Sequence, residues 1–352
     1  MSRKVRTHNY FSDSSKYKYY EEAISYLKSQ PHGRLHTSGV KKSVEKYLPS
    51  LIADKPISNF RAAGSRANLG KFYLHNMNPN EPTHYEVLGY PYLLVKKGMD
   101  KTGIGEPLYD NRRYEVFKTS ASNSYFDVIQ SNTVTLTHNQ PARYLLLNWM
   151  NTPELVRNKQ HIAIGENRSR SYFERLGFKQ FINLEQTDKR AAAELVSLEN
   201  TLTNEKIKTK IHKKGKGIGN YLAQNFNTTE EKHFGRVVEE SHEEGYYKAT
   251  IEVAPNESDS PLWALVKVNA HPDWKAKVNG QPVEWIQMSP CFMAVPVTAG
   301  THVVEFEFGV STLRISLLFL SILIITGLGG FEFFQRRRNK LVQQKQKQIS
   351  YA

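Results

Sequence analysis

The most constraining feature of this sequence is an apolar run near its C-terminal end, from Ile315 to Phe334, built mainly from Leu, Ile, Phe and Gly with one late acid, Glu332. At a rise of about 1.5 Å per residue, a helix of this length spans about 30 Å, the thickness of the hydrocarbon core of a bilayer. The alternative is a core helix of a soluble domain, but such a helix is seldom apolar on every face and followed directly by arginines. The run therefore predicts a single transmembrane helix over residues 313–335 and a basic tail over residues 336–352.

The charges that follow the apolar run predict the orientation of this helix. Arg336, Arg337 and Arg338 come first, and three lysines lie further along the tail. Because positive residues next to a transmembrane helix favour the cytoplasmic side, we expect a cytoplasmic tail and a large extracytoplasmic region, anchored in a bacterial cell membrane. Residues 1–8 lack the apolar core of a signal peptide. Two alternatives therefore stay open: a tail-anchored protein with its domain in the cytoplasm, or the last part of a protein with more membrane segments upstream.

The formal net charge of +14 first suggests a nucleic-acid partner. Six positive charges lie in the tail, however, and the others are spread along the chain apart from one cluster, Lys206–Lys216. A dispersed excess is more typical of solubility than of a groove for phosphates, so no nucleic-acid partner is expected. The only cysteine, Cys291, excludes an intrachain disulfide.

The stretch from Ser260 to Phe308 has the pattern of short antiparallel strands. Asn279-Gly280 is the dipeptide that best tolerates a type I′ hairpin turn. Ala299-Gly300 separates two further strand-like segments, and in the second of them His302, Val304, Phe306 and Phe308 share one face. The stretch predicts a sheet with one buried face, leading directly into the bilayer.

The earlier part of the chain mixes helical and strand periodicity. Helices are predicted after a cap at Asp13-Ser14-Ser15 and ending before Pro31, from Ser38, over Arg61–Met77, over Arg168–Leu176 and after Thr187-Asp188. Strand periodicity begins at His84 and is strongest in Tyr92–Val95, Arg113–Lys118, Tyr125–Ile129, Thr133–Thr137 and His161–Ile164, whereas Pro141–Met150 fits either type. The predicted fold class is α+β, with a mixed α/β region over residues 1–220 and an antiparallel, jelly-roll-like β-sandwich over residues 221–310.

Motifs that would indicate a reaction are missing from the sequence. It has no His-Glu-x-x-His, no Cys–His ligand spacing and no GxxxxGK[ST] loop, so no catalytic residue, cofactor or metal site is assigned. Trp263, Trp274 and Trp285 are candidates for stacking on sugar rings. The alternative is that these tryptophans fill the core, since aromatic residues favour half-buried strands.

Several short motifs follow one another in a specific order between residues 260 and 308. They are His271-Pro272-Asp273-Trp274, Val278-Asn279-Gly280, Ser289-Pro290-Cys291-Phe292, Val295-Pro296 and Gly300-Thr301-His302. In this order they resemble the C-terminal extracytoplasmic domain of the bacterial YfhO-like membrane proteins, which belong with the GT-C-type glycosyltransferases. Asn279 stands where the family usually has Asp, and either residue suits the turn.

The resemblance implies a role without assigning a reaction. The multi-helix membrane region of the family has no counterpart in this sequence, and the family's catalytic acids belong to that region, so none is transferred. We expect an accessory or substrate-facing domain in cell-envelope glycan assembly, not catalytic alone, with the lipid bilayer, a polytopic membrane subunit and a lipid-linked glycan as partners. Two other classes stay open: a tail-anchored cytoplasmic scaffold that recruits partners through Lys206–Lys216, and a stand-alone carbohydrate-binding domain.

Overall fold

A computed structural model describes residues 14–38, 77–99, 103–136, 146, 149–150, 156, 158–165, 168–182, 234–243, 245–255, 260–309 and 312–349. Within these ranges three sheets and several helices form an α+β fold, as predicted. The helices predicted from Ser38, over Arg61–Met77 and after Thr187, and the cluster Lys206–Lys216, fall outside them, apart from Ser38 and Met77 themselves. In the stretch that fitted either type, the described residues Leu146, Trp149 and Met150 are helical.

The first sheet is formed by the N-terminal part of the chain and is covered by a helix. Its strands are β1 (Leu35–Ser38), β2 (Tyr92–Lys96), β3 (Gly105–Asp110) and β4 (Tyr114–Thr119), in the order β1-β2-β4-β3. Helix α1 (Ser14–Ser29) confirms the first predicted helix, and its residues at helical spacing are buried with β1, β2 and β4 in one core cluster: Tyr20, Ala23, Ile24 and Leu27.

A short helix lies where strand periodicity was predicted to begin. Helix α2 spans Pro82–Leu88, so the expectation of strand structure from His84 was wrong. Its ends explain the difference, because proline suits the first helical turn and Gly89, with φ of 64°, provides the left-handed residue that ends a helix.

The second sheet joins strands from distant parts of the chain. Its strands are β5 (Phe126–Thr135), β6 (Gln160–Ile164), β7 (Gln180–Ile182), β10 (Leu262–Val266), β13 (Ile286–Met288) and β14 (Phe292–Val297), with helix α3 (Arg170–Arg175) between β6 and β7. The order is β10-β14-β13-β6-β5-β7, and an additional pairing of β10 with β5 closes five of these strands into a hydrogen-bonded circuit. β5 pairs with β6 and β7 in parallel and with β10 antiparallel, so the sheet is mixed.

This sheet contains strands from both sides of the domain boundary predicted near residue 220. β5, β6 and β7 precede that position, whereas β10, β13 and β14 follow it. The backbone hydrogen bonds between β5 and β10 therefore join the two predicted regions.

The third sheet is antiparallel and consists of the C-terminal strands. It contains β8 (Gly235–Glu243), β9 (Tyr246–Val253), β11 (Trp274–Val278), β12 (Gln281–Val283) and β15 (Gly300–Phe308), in the order β12-β11-β15-β9-β8. The turn between β11 and β12 is confirmed, because Asn279 and Gly280 have φ values of 51° and 77°, both positive as a type I′ turn requires.

The two segments on either side of Ala299-Gly300 belong to different sheets rather than to one. β14 pairs within the second sheet and β15 within the third. Apolar side chains of both strands, such as Val295 and Phe306, are buried in one cluster, so the two strands face each other across a core. Alternation of apolar residues specifies the buried face of a strand but not the strand with which it pairs.

The C-terminal helix, α4, spans Thr312–Ile349. Its segment Ser316–Gln335 comprises 20 residues with a mean hydropathy of 2.1, and none of it is buried against the described residues, as expected of a helix that lies in lipid. The helix continues through residues 336–349 of the predicted basic tail.

The positive φ of Gly280 generates a test of the hairpin turn. We expect Gly280→Ala to lower the free energy of unfolding by about 1 kcal/mol, because an L-residue in the left-handed region costs roughly this much while no atom crowds the site. Gly103→Ala is the matched control, since Gly103 has an ordinary φ and equally open surroundings. Urea unfolding of the full chain in non-ionic detergent measures both, and equal midpoints for the two variants would contradict the turn assignment.

Candidate functional site

The three candidate tryptophans do not form one exposed surface, because two of them are buried. Trp263 is fully buried in the interior of the second sheet, where its Nε1 donates to the carbonyl of Ser131 at 3.3 Å. Trp274 is 8% exposed and lies in the core between the second and third sheets. The buried ring of Trp263 offers no face to a sugar, which agrees with the core alternative.

Trp285 is the most accessible of the three. Its side chain is half-buried against the core that contains Trp274, and its Nε1 donates to the Trp274 carbonyl at 2.7 Å. The arginines predicted to orient the membrane helix, Arg336, Arg337 and Arg338, lie in the part of α4 that follows the apolar segment.

The candidate site is a cleft of 620 Å³ at which the second and third sheets meet α2 and the loop that follows β4. Its walls come from α2, the loop between β4 and β5, the start of β5, β6, the start of β8 and the residue that follows β10. A cleft of this size falls in the range of small-molecule sites. The charged and imidazole side chains among its lining residues are Glu86, Asp127, Lys159, His161, Arg236 and Lys267.

An ion cluster lies at the centre of this lining. Oδ1 of Asp127 is 2.8 Å from Nζ of Lys159, and Oδ2 is 3.6 Å from Nζ of Lys267. The Lys267 side chain is only 7% exposed, compared with 23% for Asp127 and 30% for Lys159. Lysine is rarely buried to this extent unless it is paired.

The electrostatics of the cluster keep the carboxylate charged. Burial alone would raise the pKa of Asp127, but the positive charges of Lys267 and Lys159 outweigh burial and hold this pKa below its ordinary value. Burial lowers the pKa of Lys267, and Asp127 counteracts this by favouring the ammonium form. One carboxylate thus faces two lysines.

His161 lies beside the cluster as a neutral imidazole. Its Nδ1 is 2.8 Å from the carbonyl of Ser289, which fixes Nδ1 as the protonated nitrogen, since a carbonyl oxygen only accepts. Burial lowers the pKa of His161 to about 4, although the bond to Ser289 and the charge of Asp127 oppose the shift. The imidazole therefore adds no charge to the cleft near neutral pH.

The backbone at Lys159 is unusual. Its φ is 52°, in the left-handed region that favours Gly or Asn. The preceding turn closes with a hydrogen bond from Lys159 N to the carbonyl of Val156 at 3.0 Å. A lysine kept in a strained conformation with its ammonium on a half-buried carboxylate is the kind of outlier that clusters at functional sites.

These cleft residues were not identified from the sequence. A signal was present, because Asp127 stands between two apolar strand residues and Lys267 directly follows the wholly buried strand β10. Single charges at the ends of buried runs are common, however, and nothing local shows that these two side chains meet.

The architecture and the apolar helix define a membrane-anchored, sheet-rich α+β protein. The family model described as "Bacterial membrane protein YfhO" matches residues 122–320, more than half of the chain. The protein therefore belongs to the YfhO family of bacterial membrane proteins, which confirms the resemblance read from residues 260–308 and extends it to β5, β6 and β7. Searches of curated proteins and of solved structures found no match.

The neutral state of His161 predicts a pH dependence of stability. Its pKa of about 4 in the folded protein lies below the ordinary 6.5, so only the unfolded chain binds this proton between the two values. The contribution of the neutral His161 to the free energy of unfolding is complete above pH 6.5. It is lost as the pH falls toward 4, by about 3 kcal/mol at most. The pKa of Asp127 is held below its ordinary value of 3.8, so the stability that depends on its ionised carboxylate is lost at lower pH.

Urea unfolding between pH 7 and pH 4.5 measures this effect. We expect His161→Gln, which keeps an N–H for the Ser289 carbonyl, to flatten the pH dependence in this window relative to the unmodified chain. Parallel curves for the two proteins would show that His161 does not titrate as its burial requires.

Proposed function

We propose that this protein is the extracytoplasmic, substrate-facing accessory part of a GT-C-like assembly that builds cell-envelope glycans. It works beside a polytopic membrane subunit and a lipid-linked glycan, and it transfers no sugar alone. Membership of the YfhO family and the apolar helix α4 support the membrane location. The positive residues Arg336, Arg337 and Arg338 support a cytoplasmic tail.

The observation that carries the proposal is the short connection between the sheets and the membrane helix. β15 ends at Phe308 and α4 begins at Thr312, so the residues between them span roughly 10–14 Å when fully extended. β15 lies in the middle of the third sheet, which shares a core with the second. The two sheets that carry the cleft are therefore tethered directly to the bilayer, where a lipid-linked substrate resides.

Two alternatives make different predictions. A tail-anchored scaffold would hold the same sheets in the cytoplasm and would use Lys206–Lys216 to recruit partners. A stand-alone carbohydrate-binding domain would use an accessible aromatic ring, and Trp285 is the best placed of the three candidates for this role because it is the least buried of them.

The buried Cys291 allows a direct test of orientation. Its thiol is 3% exposed, and burial raises its pKa to about 12, so it should not react with a maleimide in the folded protein. In intact spheroplasts we expect a membrane-impermeant maleimide to label Ala299→Cys, at an exposed position between β14 and β15. Ser350→Cys in the tail should be labelled only after lysis, and the unmodified chain provides the background. The reverse labelling pattern would support the cytoplasmic scaffold instead.

A second experiment tests the role in glycan assembly. Deletion of the gene should reduce the sugar content of the cell-envelope polymers, and the full chain supplied in trans should restore it. The purified chain in proteoliposomes should transfer no sugar from a polyprenyl-linked donor, because no catalytic group has been assigned to it. Unchanged envelope glycans in the deletion strain, or sugar transfer by the purified chain, would overturn the proposal.

A further inference from the structure

The ion cluster inside the cleft carries a local excess of positive charge. Elsewhere in the cleft lining, the Glu86 carboxylate keeps its negative charge and accepts a hydrogen bond from Ser120, and Arg236 is paired with Glu252 at 2.7 Å on an exposed part of the third sheet. Within the cluster, the two cations Lys159 and Lys267 face the single carboxylate of Asp127, and His161 is neutral. A buried cluster with an unbalanced charge is costly unless a counter-ion is bound.

A further cation lies close to Lys267. The side chains of Lys267 and Arg34 both lie next to Gly89. A Cβ atom built on Gly89 would be 3.2 Å from Cδ of Lys267 and 3.4 Å from Nη2 of Arg34. Nη1 of Arg34 donates to the carbonyl of Leu88 at 3.1 Å, whereas Nη2 is buried and has no hydrogen-bond partner among the described residues. The positive charge of Arg34 reinforces the excess in the cleft rather than balancing it.

One hydroxyl in the lining adds a donor to the ammonium groups. The hydroxyls of Ser120 and Ser124 donate their protons to Glu86 and Glu240, whereas the hydroxyl of Ser122 accepts from the backbone N–H of Ser124 at 3.1 Å and retains its own proton for donation. The ammonium groups and the Ser122 hydroxyl together match a tetrahedral phosphate, which offers acceptors in several directions.

We propose that the cleft around Asp127, Lys159 and Lys267 binds the phosphate of the protein's substrate, with the two ammonium groups as its main partners. A phosphate oxyanion reduces the positive excess that Lys159, Lys267 and Arg34 leave around Asp127. Asp127 holds Lys159 and Lys267 in position and limits the affinity, so that the phosphate can leave again. The strained backbone of Lys159 is explained by this role, because the strain keeps its ammonium on the cleft side.

The source of the phosphate depends on the proposed function. If the protein faces a lipid-linked substrate, the phosphate is that of a polyprenyl carrier. The same chemistry would also recognise a soluble phosphate ester or a phosphate group within an envelope polymer, so the probes have to separate these sources.

Isothermal titration of the purified full chain in non-ionic micelles tests the site. The probes are inorganic phosphate, dimethyl phosphate and polyprenyl phosphate, with polyprenol and acetate as controls. We expect at least one phosphate probe to bind, and acetate and polyprenol to bind at least about tenfold more weakly. Tighter binding of polyprenyl phosphate identifies the lipid carrier, whereas equal binding of the phosphate probes identifies a free or polymer-borne phosphate. Failure of all phosphate probes at about 10 mM would overturn the proposal.

Three variants separate ligand binding from damage to the fold. Lys159→Asn removes the charge but suits the left-handed backbone, so we expect at least about tenfold weaker phosphate binding without loss of stability. Lys159→Arg should retain binding, and Lys96→Gln, which removes an exposed cation from β2, should leave binding unchanged. Asp127→Asn should bind phosphate more tightly, because it removes the competing negative charge.

The opposite effects of Lys159→Asn and Asp127→Asn are the decisive result, since general disruption of the cleft would weaken binding in both. Weaker or unchanged binding in Asp127→Asn would overturn the proposal. The assay uses purified protein, so its outcome is independent of membrane orientation. If phosphate binds while the tail is labelled from outside, the site stands and the proposed function fails.

Discussion

The pairing of β5 with β10 is the interaction on which the rest of the structure depends. It closes the circuit of the second sheet and places Asp127 directly opposite Leu265 in the register. The pairing extends by one bond from the N–H of Lys267 to the carbonyl of Tyr125 at 2.8 Å. Lys267 is therefore the diagonal neighbour of Asp127 on the same face, within reach of a long side chain. The scaffold and the ion cluster come from a single backbone register.

The ion cluster has opposite consequences for stability and for binding. Ile129 and Leu265 lie on one face of the second sheet, in an apolar core. Asp127 and Lys267 lie on the same face, where this core meets the cleft. Removing these charges from water costs more free energy than the attraction within one imperfect ion pair recovers, as is typical of buried ion pairs. The low dielectric that makes them costly also strengthens their attraction for an anion. Such a cluster is better explained by ligand binding than by stability.

Local features of the sequence were sufficient where one residue or one short period determines the structure. The apolar run predicts the membrane helix, Asn279-Gly280 predicts its turn, and helical spacing predicts α1. Long-range pairing was not predictable, because alternation identifies a buried face without naming the strand that covers it. All five residues of β10 are buried, so the sequence of this strand does not show on which face of the sheet Trp263 lies. The meeting of Asp127 with Lys267 depends on the same missing information.

The segment that reveals the family is not a folding unit. Residues 260–308 contain β10, β13 and β14, whose edges are completed by β5 and β6 from far upstream. Expressed alone, this segment would expose the face of β10 that carries Trp263 and Leu265 and unpaired backbone groups along its edge, which favours aggregation. The family match begins at residue 122, just before β5, so it includes the strands that the C-terminal segment requires. The match also contains Asp127, Lys159 and Lys267, so the matched region includes the whole ion cluster as well as the strands that complete the second sheet.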